Sequence, residues 1–428
     1  MNLEKDIQKL LEVGVIDSET AKRIEEYYQK NRPDNSNRLF TIFAVLGSAL
    51  VGLGIILLIA HNWDELSKPI KVVISFLPLI VGQLFVFYAF RVKSESAAWR
   101  EGSAVFLTIS IGAVISLISQ VYNIPGNMRD FLLAWLLLAL PLIFLLRSSM
   151  SNLLYIAGTT WYVWEDLLYN YHGFPWMYLL LISFSILHFL YLLKNEEKSN
   201  FVTFHHWFYP ASFTISLAAI GQDHEEYLVL AYMGLFALFY QISQLKSIDH
   251  SRIRTNGWRI FGSLGMVVIL LIGSFSFVYY DLFREEKMIQ AIFKSPEAIS
   301  SYVLILAGAL VLALRKKESG SENFEIQNYI GIVFLVIFFF SLMEPVISQI
   351  LCNLLLLGLG LLMIQKGNRL NHLGVLNYGL LILTALVICR FFDTNWSFIV
   401  RGLLFIALGI GFFYANYHLL QKRKKSQA

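Results

Sequence analysis

Leu39 to Ala60 reads LFTIFAVLGSALVGLGIILLIA, a run without a single charge. As a helix rising about 1.5 Å per residue it spans about 33 Å, enough to cross a hydrocarbon core about 30 Å thick. A chain that commits this segment to lipid takes lipid as the solvent for its later apolar runs as well. There the backbone must satisfy its own polar groups, and helices do so within each segment. The expected fold is therefore all-α, a polytopic transmembrane helical bundle with a small cytoplasmic helical hairpin at its N-terminus.

Composition agrees with that reading. The chain is 57% hydrophobic and only 15% charged, whereas soluble domains carry about a quarter of their residues as charges. The charges lie in short islands between apolar runs, so the basic residues read as topogenic and no nucleic acid is expected as a partner. Cys352 and Cys389 each sit inside an apolar run and read as small buried hydrophobes. The first 38 residues are charged and the first apolar run is too long for a cleavable leader, which makes 39–60 an uncleaved anchor.

Residues 1–32 read as two short helices. Leu3, Ile7, Leu10 and Leu11 share one face, Gly14 breaks the first helix, and Asp17 or Ser18 caps the second. Ala21, Ile24, Tyr27 and Tyr28 are expected to point inward, and Pro33 ends the pair. Helices this short bury too little to stand alone, so they are expected to dock on the protein's own loops, on a second copy or on a cytoplasmic partner. The domain reading is 1–38 for the hairpin and linker, 39–420 for the membrane domain and 421–428 for a basic tail.

Fourteen crossings are expected, near 39–60, 69–90, 102–120, 131–147, 151–168, 174–193, 201–220, 226–245, 258–280, 298–314, 328–343, 346–364, 372–392 and 397–420. With both termini cytoplasmic, the inner segments then hold 26 of the 34 lysines and arginines. The outer stretch 281–297 reads as a short interfacial helix and Gln421 to Lys425 as an anchor on anionic headgroups. Small residues every four positions mark helix-packing faces: Ala44, Ser48 and Gly52; Thr108, Gly112 and Ser116; Ala407, Gly411 and Ala415. Any of these faces also serves a homo-oligomer. Trp63, Tyr122, Trp161, Trp164, Tyr169, Tyr171, Trp176 and Trp396 gather at the expected outer ends, as an aromatic belt does.

Charges at membrane depth cost about 2.5–3.5 kcal/mol at a helix centre, which makes each one a candidate site. The outer ends bring His61, Asp64, Glu65, Arg129, Asp130, Glu165, Asp166, Arg390 and Asp393 toward a common polar cluster. Asp223, His224, Glu225, Glu344 and Arg401 lie at the same level. Such a cluster is either a layer of solvated, mutually paired charges or a vestibule for a cation, a proton or a lipid headgroup. His188 reads first as a helix-packing histidine and second as a proton relay, while His205 and His206 read as interfacial. No catalytic glycine, serine or zinc motif occurs, and no cofactor or metal is expected.

Three stretches in combination resemble a bacterial group of predicted membrane proteins, domain of unknown function 2157. They are EVGVIDSETAKRIEEYY with LGSALVGLGIILLIAHNWDELSKPIK, then ISLISQVYNIPGNMRDFLLAWLLLALPLIFLLRSS, and finally RFFDTNWSFIVRGLLFIALGIGFFYANYHLLQKRKK. The resemblance implies a multi-pass protein of the bacterial inner membrane and carries no catalytic residues with it. Three function classes stay open. One is a transporter or flippase-like protein for a small amphiphilic or lipid-linked molecule, suggested by helices broken at Pro78, Pro141 and Pro210. Another is a scaffold or sensor signalling through the hairpin. The third is an enzyme at the outer face, with Asp64 or Asp166 as base beside His61, His172 or His224.

Overall fold

The computed structural model describes residues 7, 10–30, 35–61, 66–169, 175–196, 199–221, 224–249, 256–281, 292–319, 325–341, 343–393 and 398–427. Every regular element among them is helical. In chain order these are α1 (Ser18–Lys30), α2 (Asn35–His61), α3 (Lys68–Val92), α4 (Ala97–Tyr122), α5 (Met128–Leu145) and α6 (Ser149–Leu168). Next come α7 (Trp176–Asn195), α8 (Asn200–Leu217), α9 (Glu225–Ile242), α10 (Lys246–Asp249), α11 (Gly257–Ile272) and α12 (Ser276–Asp281). The last are α13 (Pro296–Ser319), α14 (Ile330–Phe340), α15 (Pro345–Arg369), α16 (Leu373–Asp393) and α17 (Phe398–Gln427).

Each of the fourteen apolar segments contains helix among the described residues. Among the described residues seven helices are long and apolar enough to cross a membrane on their own: α3, α4, α5, α7, α13, α15 and α16. Shorter apolar stretches occur at Leu39–Gly54, Gly257–Ile272 and Ile330–Phe340. Hydroxyls inside these helices turn back onto the preceding turn, so polar side chains cost little there. Ser48 donates to Ala44 O at 2.7 Å and Thr108 to Ala104 O at 2.8 Å.

The chain divides into two compact units. The first takes Met1–Asn127 with Ala134–Asn152 and is built around α4. Helix α4 is buried along most of its length because α2 and α3 both lie on it. Gly102 faces Ala44 and Ser48, where a Cβ would stand 3.2 Å from Ser48 Oγ, and Gly52 faces Ile109. The first two small-residue faces thus act inside one subunit: Gly112 receives the Trp135 indole, whose Nε1 donates to Thr108 O at 2.7 Å. Val86, Ala89, Ala104, Leu107, Ile111, Leu142 and Leu146 form the apolar core beneath.

At the start of the unit, Gly14 adopts a φ of 73°, Val15 N bonds Leu10 O and Gly14 N bonds Leu11 O. This is a Schellman stop, which a residue with a Cβ adopts only with strain. Asp17 then caps α1, accepting from Thr20 N at 2.9 Å. Ile7 and Ala21 are buried and Leu10 and Leu11 exposed, while Tyr27 is 65% exposed, against the inward placement read from spacing. Helical periodicity finds an apolar face and does not say what covers it.

The second unit takes Met128–Leu133 with Leu153–Ala428. Its hub is α9, which packs on α11 and α13. Gly262 and Gly265 let α11 cross α9 closely, a Cβ at Gly262 meeting Tyr240 N at 2.6 Å. Helices α15 and α16 form an antiparallel pair whose backbones touch at Gly360, Gly367 and Gly379. On α17, by contrast, Gly402, Gly409 and Gly411 face open space.

Two expectations are corrected in this unit or its neighbour. Pro78, Pro141 and Pro210 lie within α3, α5 and α8 and break none of them. The Pro210 carbonyl also takes the Thr214 hydroxyl at 2.7 Å, the same back-bonding onto the preceding turn that Ser48 and Thr108 make. The crossing at 258–280 is not continuous but interrupted between α11 and α12. His205 and His206, read as interfacial, are buried within the protein at 0% and 2% exposure, with Phe189 stacked on His205 and meeting His206 edge-on. The stretch 282–291, and with it most of the expected interfacial helix, lies outside the described residues.

Candidate functional site

The interruption after α11 places a polar site beside α15 and α16. The last turn tightens at Gly273 to Phe275, where Ser274 N bonds Leu271 O at 3.1 Å and Phe275 N bonds Ile272 O at 3.2 Å. The Ser274 carbonyl thereby leaves the helical ladder, and side chains from α15 satisfy it. Gln349 Nε2 donates to it at 3.1 Å and Asn353 Nδ2 at 3.3 Å. Gln349 and Asn353 are one turn apart, so both amides reach the same carbonyl. A helix break persists where other groups take up the freed backbone in this way.

Charge enters from α16. Arg390 donates to Asp393 Oδ2 at 2.7 Å and to Ser274 Oγ at 3.1 Å, and its guanidinium lies over the Phe275 ring. Asp393 also accepts from Ser276 Oγ at 3.2 Å. Both side chains are largely buried, at 13% and 9% exposure. A carboxylate and a guanidinium so enclosed compensate each other's buried charge.

The opposite ends of the same three helices carry a second network. Lys366 of α15 pairs with Glu325, and Tyr240 of α9 donates to Glu325 Oε2 at 2.8 Å and to Gln327 Oε1 at 2.5 Å. Gln327 Nε2 donates to Ser263 Oγ of α11 at 3.1 Å, and that hydroxyl meets Tyr378 OH of α16 at 2.9 Å. Burial on its own raises the Glu325 carboxyl, but the Lys366 and Tyr240 bonds outweigh it and hold the group below its ordinary value. Close by, Arg315 of α13 donates to Gln241, and Gln241 to Asn328 O.

Of the residues read from the sequence, Arg390 and Asp393 meet here. Arg129 forms an ion pair with Asp166 and lies over the Tyr162 ring at 5.0 Å, while Glu165 accepts from Trp161 Nε1 at 2.9 Å. Asp130 opens α5 one residue further on. Asp64, Glu65 and Asp223 lie outside the described residues, as do the side chains of His61 and Arg401. Glu344 is exposed at the start of α15. Of the carboxylate–histidine pairings an outer-face enzyme needs, His224 with Glu226 is present at 3.1 Å; His172 is outside the described residues.

Sequence reasoning passed over Ser274, Gln349, Asn353, Tyr240, Glu325, Gln327 and Lys366. The available signal was the amide pair Gln349 and Asn353 at helical spacing inside an apolar run. It also passed over Glu101 in the first unit. That carboxylate is 2% exposed and accepts from Ser148 Oγ at 2.6 Å and from Ser149 N and Met150 N, both at 2.9 Å. It satisfies the free amides at the start of α6 and complements its dipole.

Comparison with known proteins gives one finding. Residues 8–152 match a family model described as a predicted membrane protein, DUF2157. No curated protein and no solved structure matches the chain.

Proposed function

We propose that this chain, whose residues 8–152 match the DUF2157 model of predicted membrane proteins, is a transporter-like protein that moves a small polar or amphiphilic molecule along the interface of α11 with α15 and α16. The supporting observation is the interrupted helix at Ser274 with its freed carbonyl, set beside the buried Arg390–Asp393 pair. Discontinuous helices at membrane depth characteristically carry substrate and ion sites in transporters. The Glu325–Lys366 network closes the other end of the same helices. Asn353 and Lys366 are thirteen residues apart on α15, about 20 Å. Between them the buried face of α15 is apolar, with Leu356, Leu359, Gly360 and Met363. Two ion-paired ends around an apolar middle suit a protein that opens one end at a time, in the bacterial inner membrane with both termini inside.

Cys352 reports on that opening without knowledge of a substrate. It is 0% exposed and its Sγ would meet a Cβ at Gly273 at 3.2 Å, directly under the break. In a Cys389→Ser variant Cys352 is the single thiol of the chain. A charged, water-soluble maleimide is expected to label it in native membranes within minutes, and faster once Glu325→Gln weakens the far end. Failure to label over hours, with full labelling after denaturation, overturns the reading.

A scaffold or sensor role has one observation of its own, the exposed Leu10, Leu11, Val13, Val15 and Tyr27 of the hairpin. Deleting residues 1–32 separates the two: a scaffold loses partner recovery, whereas Cys352 labelling persists in a transporter.

A further inference from the structure

We propose that the site at the α11 break binds a zwitterion, a ligand group bearing a primary ammonium and an oxyanion a few ångströms apart. The inference rests on the transporter reading and names the ligand chemistry of that same site. Its starting point is charge balance. Arg390 and Asp393 are a bonded pair at 2.7 Å with little exposure, so the site is closed and neutral as it stands. A ligand entering between them must give each partner a counter-charge, because an uncompensated buried charge is strongly destabilising. A neutral ligand strands both groups. A simple cation leaves Arg390 uncompensated, and a simple anion leaves Asp393 so. A zwitterion replaces both halves of the pair at once.

The neighbouring groups fit the two ends of such a ligand. Donors for the oxyanion are the Arg390 guanidinium and the Gln349 amide, which hold Asp393 and the Ser274 carbonyl until a ligand takes their place. On the cationic side stand acceptors: the Asp393 carboxylate and the Ser274 carbonyl, the latter outside the helical ladder. An ammonium taking the Ser274 carbonyl frees the Gln349 amide to turn to the oxyanion, while Asn353 stays on Gln349 O at 2.7 Å. The Phe275 ring beneath Arg390, 5.2 Å from the guanidinium carbon, offers an apolar surface for the carbon skeleton. The chemistry is shared by free α-amino acids and by the headgroup of phosphatidylethanolamine.

The test uses the full chain in nanodiscs of phosphatidylglycerol, which contain no zwitterionic lipid, and follows the thermal unfolding midpoint. Probes are L-alanine, glycerophosphoethanolamine, and the single-charge analogues ethylamine and lactate. The expected result is a saturable rise with L-alanine, with glycerophosphoethanolamine or with both, and none with either single-charge analogue at equal concentration. A response to glycerophosphoethanolamine alone assigns the lipid headgroup, and one to alanine alone assigns the free amino acid. Asp393→Asn should weaken the responding zwitterion at least tenfold and bring out a response to lactate. Should that variant not fold, the analogue series on the unaltered chain decides. A midpoint unmoved by both zwitterions, or moved equally by ethylamine or lactate, overturns the proposal. If Cys352 still labels in native membranes, only the ligand class falls and the transport reading stands.

Discussion

Glu325 is the side chain whose protonation bears most directly on the Lys366–Tyr240 network of the second unit. It lies outside the membrane-spanning segments, and its carboxylate holds Lys366 and Tyr240 together. Burial disfavours its charge, yet the bonds from Lys366 and Tyr240 prevail and its proton affinity falls below the ordinary 4.5. A carboxyl with a depressed folded value contributes stability that is fully present above the unfolded value and is lost as pH falls through the folded one. The stabilisation should therefore be complete at neutral pH, begin to fade near pH 4.5 and continue to fall below it. Glu325→Gln removes the contribution at every pH. Thermal midpoints of the two proteins should differ most at neutral pH and converge as the buffer is taken below 4.5. A gap that stays constant or widens in acid would contradict this assignment.

At the scale of the helix, small residues decide how near two backbones come. Gly379 of α16 faces α15 so closely that a Cβ would stand 2.6 Å from Gly360 O and 2.7 Å from Ile364 N. Both are backbone atoms, so Gly379→Ala must push the helices apart, and overpacking of this kind costs about 1–3 kcal/mol. Gly409→Ala on α17 meets nothing within 4 Å and should be neutral, or stabilising by up to about 1 kcal/mol through helix propensity. Denaturant unfolding in detergent ranks the two, and equal effects would disprove the distinction. The positions of the apolar helices were legible in the sequence because charge-free runs leave the backbone no other way to satisfy itself in lipid. The break at Ser274 was not, since the groups that stabilise it lie 75 and 79 residues away in Gln349 and Asn353. Proline misled because its cost is local, while each helix that carries one continues through it. Half of the candidate site could be read, as Arg390 and Asp393 announce themselves as charges near an apolar run. The Ser274 carbonyl that completes it has no sequence signature.

The whole molecule makes sense only with hydrocarbon around it. Leu57, Leu84, Leu306 and Phe413 are between 62% and 83% exposed, and they belong to long apolar helix faces in both units. In water such faces would far exceed the few hundred Å² of contiguous apolar surface that soluble monomers show. Lipid removes that cost and leaves orientation to lysine and arginine, of which 26 of 34 fall in alternate connections and the two ends when the crossings number fourteen. An odd number of crossings would move one terminus to the other face and destroy the bias for every connection downstream of the error. Reporter fusions at Met1 and Ala428 are accordingly expected to give the same, cytoplasmic, signal. Relocating charge tests the cause as well as the outcome. Replacing Lys422, Arg423, Lys424 and Lys425 with glutamine should raise the fraction of C-terminal reporter found outside, because the last helix then has little on its inner flank to hold it. The N-terminal reporter should not move, since the basic residues of the first 38 positions still fix the first crossing. Opposite signals from the two ends of the unaltered chain would reject the even count, and with it the placement of the Lys366 end inside and the Arg390 end outside.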